Sequence, residues 1–192
     1  MLRGAILALG FASTCLASIP AMAGVNDILI GLDQKVVYGP DGSANGPPGQ
    51  DAVVVVDIAN PAKPRIRASL PLMNSLVGPP TNLQITPDGR LGLVANSMVM
   101  NQDGGAWKAA PDDKLFVIDL TANPPKLIDT VAVGKQPSGM AISRKGDLAL
   151  IANRAGRSVS VLSIQNGVVK LIGDVPMEQE AAAVAITPDG KR

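Results

Sequence analysis

Short apolar runs alternate with turn-forming residues along most of the chain, and this pattern predicts strands joined by tight turns. Residues 91–95 and 148–152 are apolar at nearly every position, which is typical of strands covered on both faces. Pro87, Asp88 and Gly89 precede the first of these runs. Proline presets φ for the first turn position and glycine supplies the positive φ that follows, so the sequence predicts a hairpin there.

The hairpin belongs to an internal repeat. Residues 80–96 align without a gap with residues 137–153, and a third copy begins at residue 181 and reaches its turn glycine at residue 190. In each complete copy a short apolar strand, a turn and a second apolar strand end at an asparagine, Asn96 or Asn153. A fixed period of this kind indicates a repeat architecture.

Two further strands follow each complete hairpin, and a similar pair of strands lies upstream of the first hairpin. The predicted third and fourth strands lie at residues 52–58 and 65–70, 114–120 and 126–133, and 158–164 and 168–175. Four strands in each unit predict an all-β fold, a β-propeller of four-stranded antiparallel blades. The blades are expected at about residues 28–76, 80–134 and 137–176, with the start of another at 181–192. Residues 24–192 would then form an incomplete propeller of about two and a half to three blades.

The spacing of equivalent glycines locates an insertion. Gly89 and Gly146 are 57 residues apart, whereas Gly146 and Gly190 are 44 apart, which is the spacing expected of four-stranded blades. The additional residues of the longer spacing fall in residues 97–113, which include Trp107 and are predicted to form a loop between the second and third strands. Residues 39–49 are also predicted to form a loop, because their prolines lack amide donors.

The repeat resembles a known family. Its residues 85–96, Ile-Thr-Pro-Asp-Gly followed by Val-Ala-Asn, and the later strand Val117-Ile118-Asp119 are similar to the YVTN-type β-propeller repeat of the YncE-like and lactonase-like propeller families. The resemblance covers roughly residues 52–192. It implies blade packing and leaves two functions open: a non-catalytic scaffold that binds a ligand or a protein, or a lactonase-like hydrolase that uses a divalent metal with acidic and amide residues at the channel.

The first 23 residues predict export. Arg3 gives a positive start, residues 5–16 are apolar, and Ala21-Met22-Ala23 has the pattern of a cleavage site. The apolar run is shorter than the ~20 residues of a membrane-spanning helix, which disfavours an anchor. The expected product is a periplasmic or secreted protein, cleaved after Ala23, with no membrane span and no cysteine.

The composition of the chain excludes several kinds of partner and catalytic site. The chain has 17 basic and 16 acidic residues and no histidine. No basic stripe stands out, so a nucleic-acid partner is not expected. The absence of histidine excludes Ser-His-Asp catalysis and histidine-based metal sites within these residues. No metal site or cofactor is identified, and a divalent metal is expected only under the lactonase alternative.

Four residues are candidates for a site. Asn82 and Ser138 precede the innermost strands and would approach the central channel. Trp107 could stack on a ligand or fold back over its own blade. Glu178 lies between blades and would supply a carboxylate to a lactonase. By contrast, Asn96, Asn153, Asp57 and Asp119 recur at strand ends, which favours roles in turns.

The repeat stops before the second strand of its last copy. The sequence is therefore expected to be a piece of a longer protein, with a half-propeller that closes by association as the alternative. In either case two blade faces and a strand edge would be uncovered, which predicts self-association of this piece. The expected partner is a small molecule or a protein on a propeller face.

Overall fold

The computed structural model describes residues 26–47, 49, 51–74 and 82–190. The predicted signal peptide and its cleavage site lie outside the described residues. All regular secondary-structure elements in the described residues are β-strands, so the predicted all-β class is confirmed. No helical segment with the length and hydropathy of a membrane span occurs among these residues.

The N-terminal region forms one sheet and a separate hairpin. β1 (Asp27–Leu32), β4 (Ala52–Asp57) and β5 (Arg65–Leu70) pair antiparallel in the order β1-β4-β5, and we call them the first sheet. β2 (Val36–Gly39) and β3 (Gly42–Asn45) pair with each other between β1 and β4. The prediction of a loop over residues 39–49 was therefore wrong for Gly39 and for residues 42–45, which are in strands. Gly42, at φ 114°, adopts the conformation that this turn requires.

Two four-stranded antiparallel sheets follow, each with its strands in chain order. The central sheet contains β6 (Leu83–Ile85), β7 (Leu91–Asp103), β8 (Ala106–Asp119) and β9 (Lys126–Ala132). The last sheet contains β10 (Pro137–Ile142), β11 (Leu148–Asn153), β12 (Ser158–Gln165) and β13 (Val168–Pro176). These are the predicted four-stranded blades. Their first hairpins turn at Gly89 and Gly146, which have φ of 71° and 75°.

The insertion at residues 97–113 is not a loop. β7 and β8 continue through it as an antiparallel hairpin, with Met98 opposite Pro111 and Gln102 opposite Trp107. Gly104 and Gly105 make the turn with positive φ. The loop prediction failed because the two halves of the insertion satisfy each other's backbone amides and carbonyls, as an extended ladder does.

The third repeat copy keeps its turn but forms no strand before it. The Gly190 amide donates to Thr187 O at 2.8 Å, as Gly89 does to Thr86 O at 2.7 Å. Residues 181–187 lie beside β10, where the Gly139 amide donates to Ala182 O at 2.9 Å. A strand requires a ladder with a neighbouring strand, and no described strand pairs with this segment.

The sheets pack face to face, with the central sheet in the middle. One core joins the first and central sheets through Val53, Val55, Val94, Phe116 and Ile118. A second core joins the central and last sheets; it includes Leu93, Leu115, Val117, Ile151 and Leu162. Successive residues of β7 and β8 thus enter opposite cores, as the pleat requires. Face-to-face packing of successive antiparallel sheets as blades is the architecture of a β-propeller.

Candidate functional site

The connections between second and third strands, and those between consecutive sheets, lie at the same end of the sheets, because the strands alternate in direction. We call this end the upper face. All four predicted site residues lie on it or in its connections: Asn82, Ser138, Trp107 and Glu178. The turns of the first hairpins lie at the opposite end, the lower face.

Two hairpins extend from the upper face. The first arm is β2–β3, residues 36–45, and the second arm is the outer part of β7–β8, residues 98–111. The arms meet where the Asn45 side-chain amide donates to Trp107 O at 3.3 Å. The Trp107 ring is half-buried, and Tyr38 on the first arm is 82% exposed. The only tryptophan and the only tyrosine of the chain therefore lie on the two arms.

A buried lysine anchors the base of the first arm. The Lys35 side chain is fully buried and its ammonium group forms an ion pair with Asp51. It also donates to Asn74 O and lies 3.0 Å from Asp33 Oδ1. Asp51 accepts a second hydrogen bond, from the backbone N–H of Gln34 at 2.9 Å. This cluster fixes the chain where it leaves β1 for the arm.

Sequence reasoning missed Lys35. In the printed sequence it stands beside Asp33 and Gln34, as a solvated turn lysine would. Its main partners come from residues 16 and 39 positions further along the chain. No local pattern marks such a residue, because its burial depends on segments that meet only in the folded sheet.

The repeated asparagines join second and third strands at the upper end of the central sheet and the last sheet. Asn96 donates to Asp112 Oδ2 at 2.6 Å, and Asp112 also accepts from Lys114 at 2.7 Å. Asn153 donates to the hydroxyls of Ser158 and Ser160 at 2.9 and 2.8 Å. In both asparagines Oδ1 is buried without a hydrogen-bond donor among the described residues. These contacts agree with the predicted structural role.

The two channel candidates bond to backbone. Asn82 is buried, and its amide donates to Ala95 O at 2.9 Å, which ties the start of β6 to β7. Ser138 is buried and donates to Gln136 O at 3.1 Å. Each side chain therefore stabilises its own sheet. Contact of either residue with a ligand stays a prediction.

Glu178 is exposed in the segment that follows β13. Its neighbour Glu180 lies 3.0 Å from the Arg154 guanidinium. The structure does not bring Glu178 into the Asn45–Trp107 contact between the arms. A catalytic role for Glu178 likewise stays a prediction.

The acidic groups of the upper face are largely matched with cations. Asp103 pairs with Lys108 at 2.6 Å, and Asp113 pairs with Lys135 at 2.5 Å. Within the described residues, no group of three or more acidic, histidine or cysteine side chains is placed to hold a metal ion. The face thus presents neutralised ion pairs, amides, hydroxyls and two aromatic rings, a set suited to recognition.

The predicted turn roles of two aspartates are seen at the lower face. Asp57 accepts the Ala59 amide at 2.8 Å, and this hydrogen bond is the main cause that lowers the pKa of Asp57 below its ordinary value. Asp119 accepts the Thr121 hydroxyl at 2.6 Å and the Thr121 amide at 2.9 Å. The hydroxyl contact is the main cause that lowers the pKa of Asp119.

A cleft of 810 Å³ lies at the upper end of the first sheet. Leu32, Asp51, Ser69 and Met73 are among its lining residues. Asp51 is also the partner of Lys35, so one wall of the cleft is continuous with the base of the first arm.

Comparison with known proteins gives structural neighbours only. No protein-family model matches the chain, and no curated protein matches it. Similar solved structures include hydrazine synthase of Kuenenia stuttgartiensis, with 24% identity over 60% of this chain and 29% of that chain and a TM-score of 0.44. The periplasmic gluconolactonase of Pseudomonas aeruginosa has 20% identity over 79% and 56% of the two chains, with a TM-score of 0.33. TolB from Acinetobacter baumannii has 16% identity over 86% and 36%, with a TM-score of 0.39.

The chain spans less than two thirds of the length of each of these three structures. At these identities the similarity concerns the fold alone. The two four-stranded antiparallel sheets and the three-stranded first sheet are stacked face to face, and this is the architecture of a β-propeller.

Proposed function

We propose that this chain is part of an exported β-propeller of the YVTN type, and that it is a non-catalytic module that binds a protein partner between its two arms. The observation that carries the proposal is the pair of hairpins that extend from one face and meet at Asn45 and Trp107. The YVTN assignment rests on the repeat residues, and export rests on the N-terminal pattern Arg3, apolar run, Ala21-Met22-Ala23.

The shape of the arms favours a protein over a small molecule. Small ligands bind preferentially in concave pockets that cover most of their surface. The first arm is instead open to solvent: every residue of β3 is exposed, as is the Tyr38 ring of β2. Two-stranded hairpins offer backbone edges to which an extended segment of a partner can add, while aromatic side chains beside them supply anchors.

The electrostatics of the upper face also favour binding over hydrolysis. A hydrolase acting through a metal would use several acidic or amide side chains that converge on one ion. Asp103, Asp112 and Asp113 each pair with a lysine instead. Ion pairs of this kind can stay intact when a polar partner binds beside them.

A photo-crosslinking experiment tests the binding proposal. The photoreactive residue p-benzoylphenylalanine replaces Tyr38 on the first arm or Gln102 on the second, in the native host. Ile128, 43% exposed on β9, provides the control position. We expect both arm positions to capture one and the same protein and the control position to capture none of it. No adduct at either arm, or equal capture at Ile128, would contradict the proposal.

Lactone hydrolysis is the alternative function, and a separate assay decides it. The purified protein is mixed with gluconolactone with and without added Ca²⁺, Mg²⁺, Mn²⁺ or Zn²⁺, and acid release is followed. We expect no rate above that of the buffer. Metal-dependent turnover that disappears in Glu178→Gln would show that Glu178 serves the enzyme and would overturn the non-catalytic proposal.

A further inference from the structure

Two residues of the upper face hold a backbone conformation that their side chains disfavour. Gln136 lies in the connection between the central and last sheets, and Arg157 lies in the turn between β11 and β12. Their φ angles are 57° and 46°. Left-handed conformations are uncommon for residues other than glycine, asparagine and aspartate. Strain of this kind clusters at binding and active sites, where a side chain must be held in one place.

The two residues belong to one corner of the last sheet. The Arg154 N–H donates to Gln136 O at 2.9 Å, and the Gly156 N–H donates to Lys135 O at 3.0 Å. A Cβ atom at Gly156 would lie 3.0 Å from Lys135 N, so the turn packs closely on the connection. We call residues 135–136 and 154–157 the upper corner.

Backbone contacts impose the strained conformations. The Gln136 N–H donates to Asp112 O at 2.8 Å, and Gln136 O also accepts from the Ser138 hydroxyl at 3.1 Å. Arg157 O accepts from the Met177 N–H at 2.8 Å. By contrast, the half-buried Gln136 amide and the exposed Arg157 guanidinium form no hydrogen bond with the described residues. The neighbouring backbone thus holds both residues, while their polar groups remain available.

Arg157 also differs in its electrostatics from the other cations of the upper face. Within the described residues, five others each lie within 3.0 Å of a carboxylate: Lys35, Lys108, Lys114, Lys135 and Arg154. Arg157 forms no ion pair with any described carboxylate, that of the nearby Glu178 included. The upper corner therefore combines one unmatched positive charge with one unpaired amide.

The upper corner occupies the place in the last sheet that the second arm occupies in the central sheet. The turn with Arg157 follows Asn153, just as the second arm follows the equivalent Asn96. Both features depart from the repeat, and both lie on the upper face. A partner that binds between the arms can extend along this face to the next sheet.

We propose that the upper corner binds an acidic side chain of the protein partner, with Arg157 as the cation and Gln136 as a further hydrogen-bond donor. A guanidinium presents two parallel N–H donors that match a carboxylate, and a primary amide adds its own. The exposure of Arg157 suits a side chain of a large partner, since free small molecules bind preferentially in enclosed pockets. The inference rests on the proposed function only in taking the partner to be a protein.

Binding of an acidic peptide tests the upper corner. The probe is a fluorescein-labelled oligoglutamate, and fluorescence anisotropy with the purified protein measures its Kd at low ionic strength, where ionic contacts are least screened. We expect Arg157→Gly and Gln136→Gly each to weaken binding about tenfold, because a hydrogen bond to a charged group contributes a free energy of that order. Arg157→Lys should retain part of the affinity, because it keeps the charge and loses the paired donors. Arg144→Gly, at an exposed arginine of the lower face, is the matched control and should bind as the wild type does.

Melting temperatures separate a role in binding from a role in folding. Glycine adopts positive φ readily, so we expect Gln136→Gly and Arg157→Gly to melt at the wild-type temperature or above it. Weaker peptide binding without a loss of stability supports the proposal. A lower melting temperature in both variants, no binding by the wild type, or an equal loss in Arg144→Gly overturns it.

Two further outcomes are decisive. Binding of labelled oligoglutamine, or of free citrate, as tightly as oligoglutamate overturns the assignment to an acidic side chain of a protein. Capture of a partner at Tyr38 without peptide binding overturns the upper corner alone, whereas peptide binding without capture supports the corner and contradicts only the arms.

Discussion

Replacement of Lys35 should destabilise the protein far more than replacement of an ordinary lysine. Its side chain has no exposed surface, and the Asp51 side chain is 4% exposed. Lys35→Met keeps most of the volume but leaves the Asp51 carboxylate buried without its cation. Removal of one partner of a buried ion pair costs about 3–5 kcal/mol, because the remaining charge is desolvated and uncompensated. We expect the free energy of unfolding to fall by this amount.

A double variant tests whether the unpaired Asp51 carboxylate causes this loss of stability. In Lys35→Met combined with Asp51→Asn, no charge of the pair remains buried, and the asparagine carbonyl still accepts from the Gln34 amide. We expect this double variant to be more stable than Lys35→Met alone by about 2 kcal/mol or more, because neutral replacement of a buried pair is often tolerated. The matched control is Lys108→Met on the second arm, whose ion pair is exposed and contributes about 0–1 kcal/mol.

Urea unfolding followed by circular dichroism measures these variants and Asp51→Asn alone. We expect the effects of the Lys35 and Asp51 changes on the free energy of unfolding to be strongly non-additive. This expectation would be refuted if Lys35→Met lowered the unfolding free energy by no more than Lys108→Met does. Strict additivity of the two single changes would refute it as well.

Three further predictions concern packing and turns. Leu93→Ala, in the core between the central and last sheets, should cost about 2–5 kcal/mol in urea unfolding, whereas Leu127→Ala on the exposed β9 should cost much less; equal costs would contradict the stacked sheets. Gly134→Ala should lower the melting temperature, because an added Cβ would lie 2.8 Å from Asn153 Cβ, and an unchanged melting curve would show that the two segments are not in contact. Asp119 has a lowered pKa when folded, so its stabilisation is present above its unfolded pKa, about 3.9, and is lost as pH falls through the folded value. The stability difference between the wild type and Asp119→Asn should therefore shrink on acidification, and a difference independent of pH would contradict this origin.

The blades were predictable from sequence because their signals are local and repeated. Pro87, Asp88 and Gly89 specify a turn within three residues, and apolar runs on either side specify strands buried on two faces. Each copy of the repeat reinforced the alignment of the next. The structure confirms these hairpins and the four-stranded sheets they begin.

The arms were missed because an insertion between repeat copies and a proline-containing stretch were both predicted to be loops. Residues 101–105, Asn-Gln-Asp-Gly-Gly, are polar and glycine-rich, yet Gly104 and Gly105 form the two-residue turn of a hairpin. In the first arm the two turn residues are Pro40 and Asp41, between the paired Gly39 and Gly42. A glycine pair between possible strands is a recognised hairpin signal and Pro-Asp-Gly is a recognised turn signal, so these residues could have identified both arms.

The site was less predictable than the fold. Asn82 and Ser138 were selected by their position before the innermost strands, but the direction of their side chains depends on which carbonyl lies within reach, Ala95 O or Gln136 O. The contact between Asn45 and Trp107 joins residues 62 positions apart in two different sheets. Neither kind of information is present in a local pattern.

The central claim is that the repeated residues build the blades while the non-repeating arms carry the function. Its most direct test replaces residues 98–111 of the second arm by a two-residue Asn-Gly turn and measures the melting temperature and the photo-crosslinking at Tyr38. The account predicts that the melting temperature changes little, because both apolar cores lie outside the arm, and that capture of the partner is lost. A protein that unfolds, or one that still captures the same partner, would contradict the account.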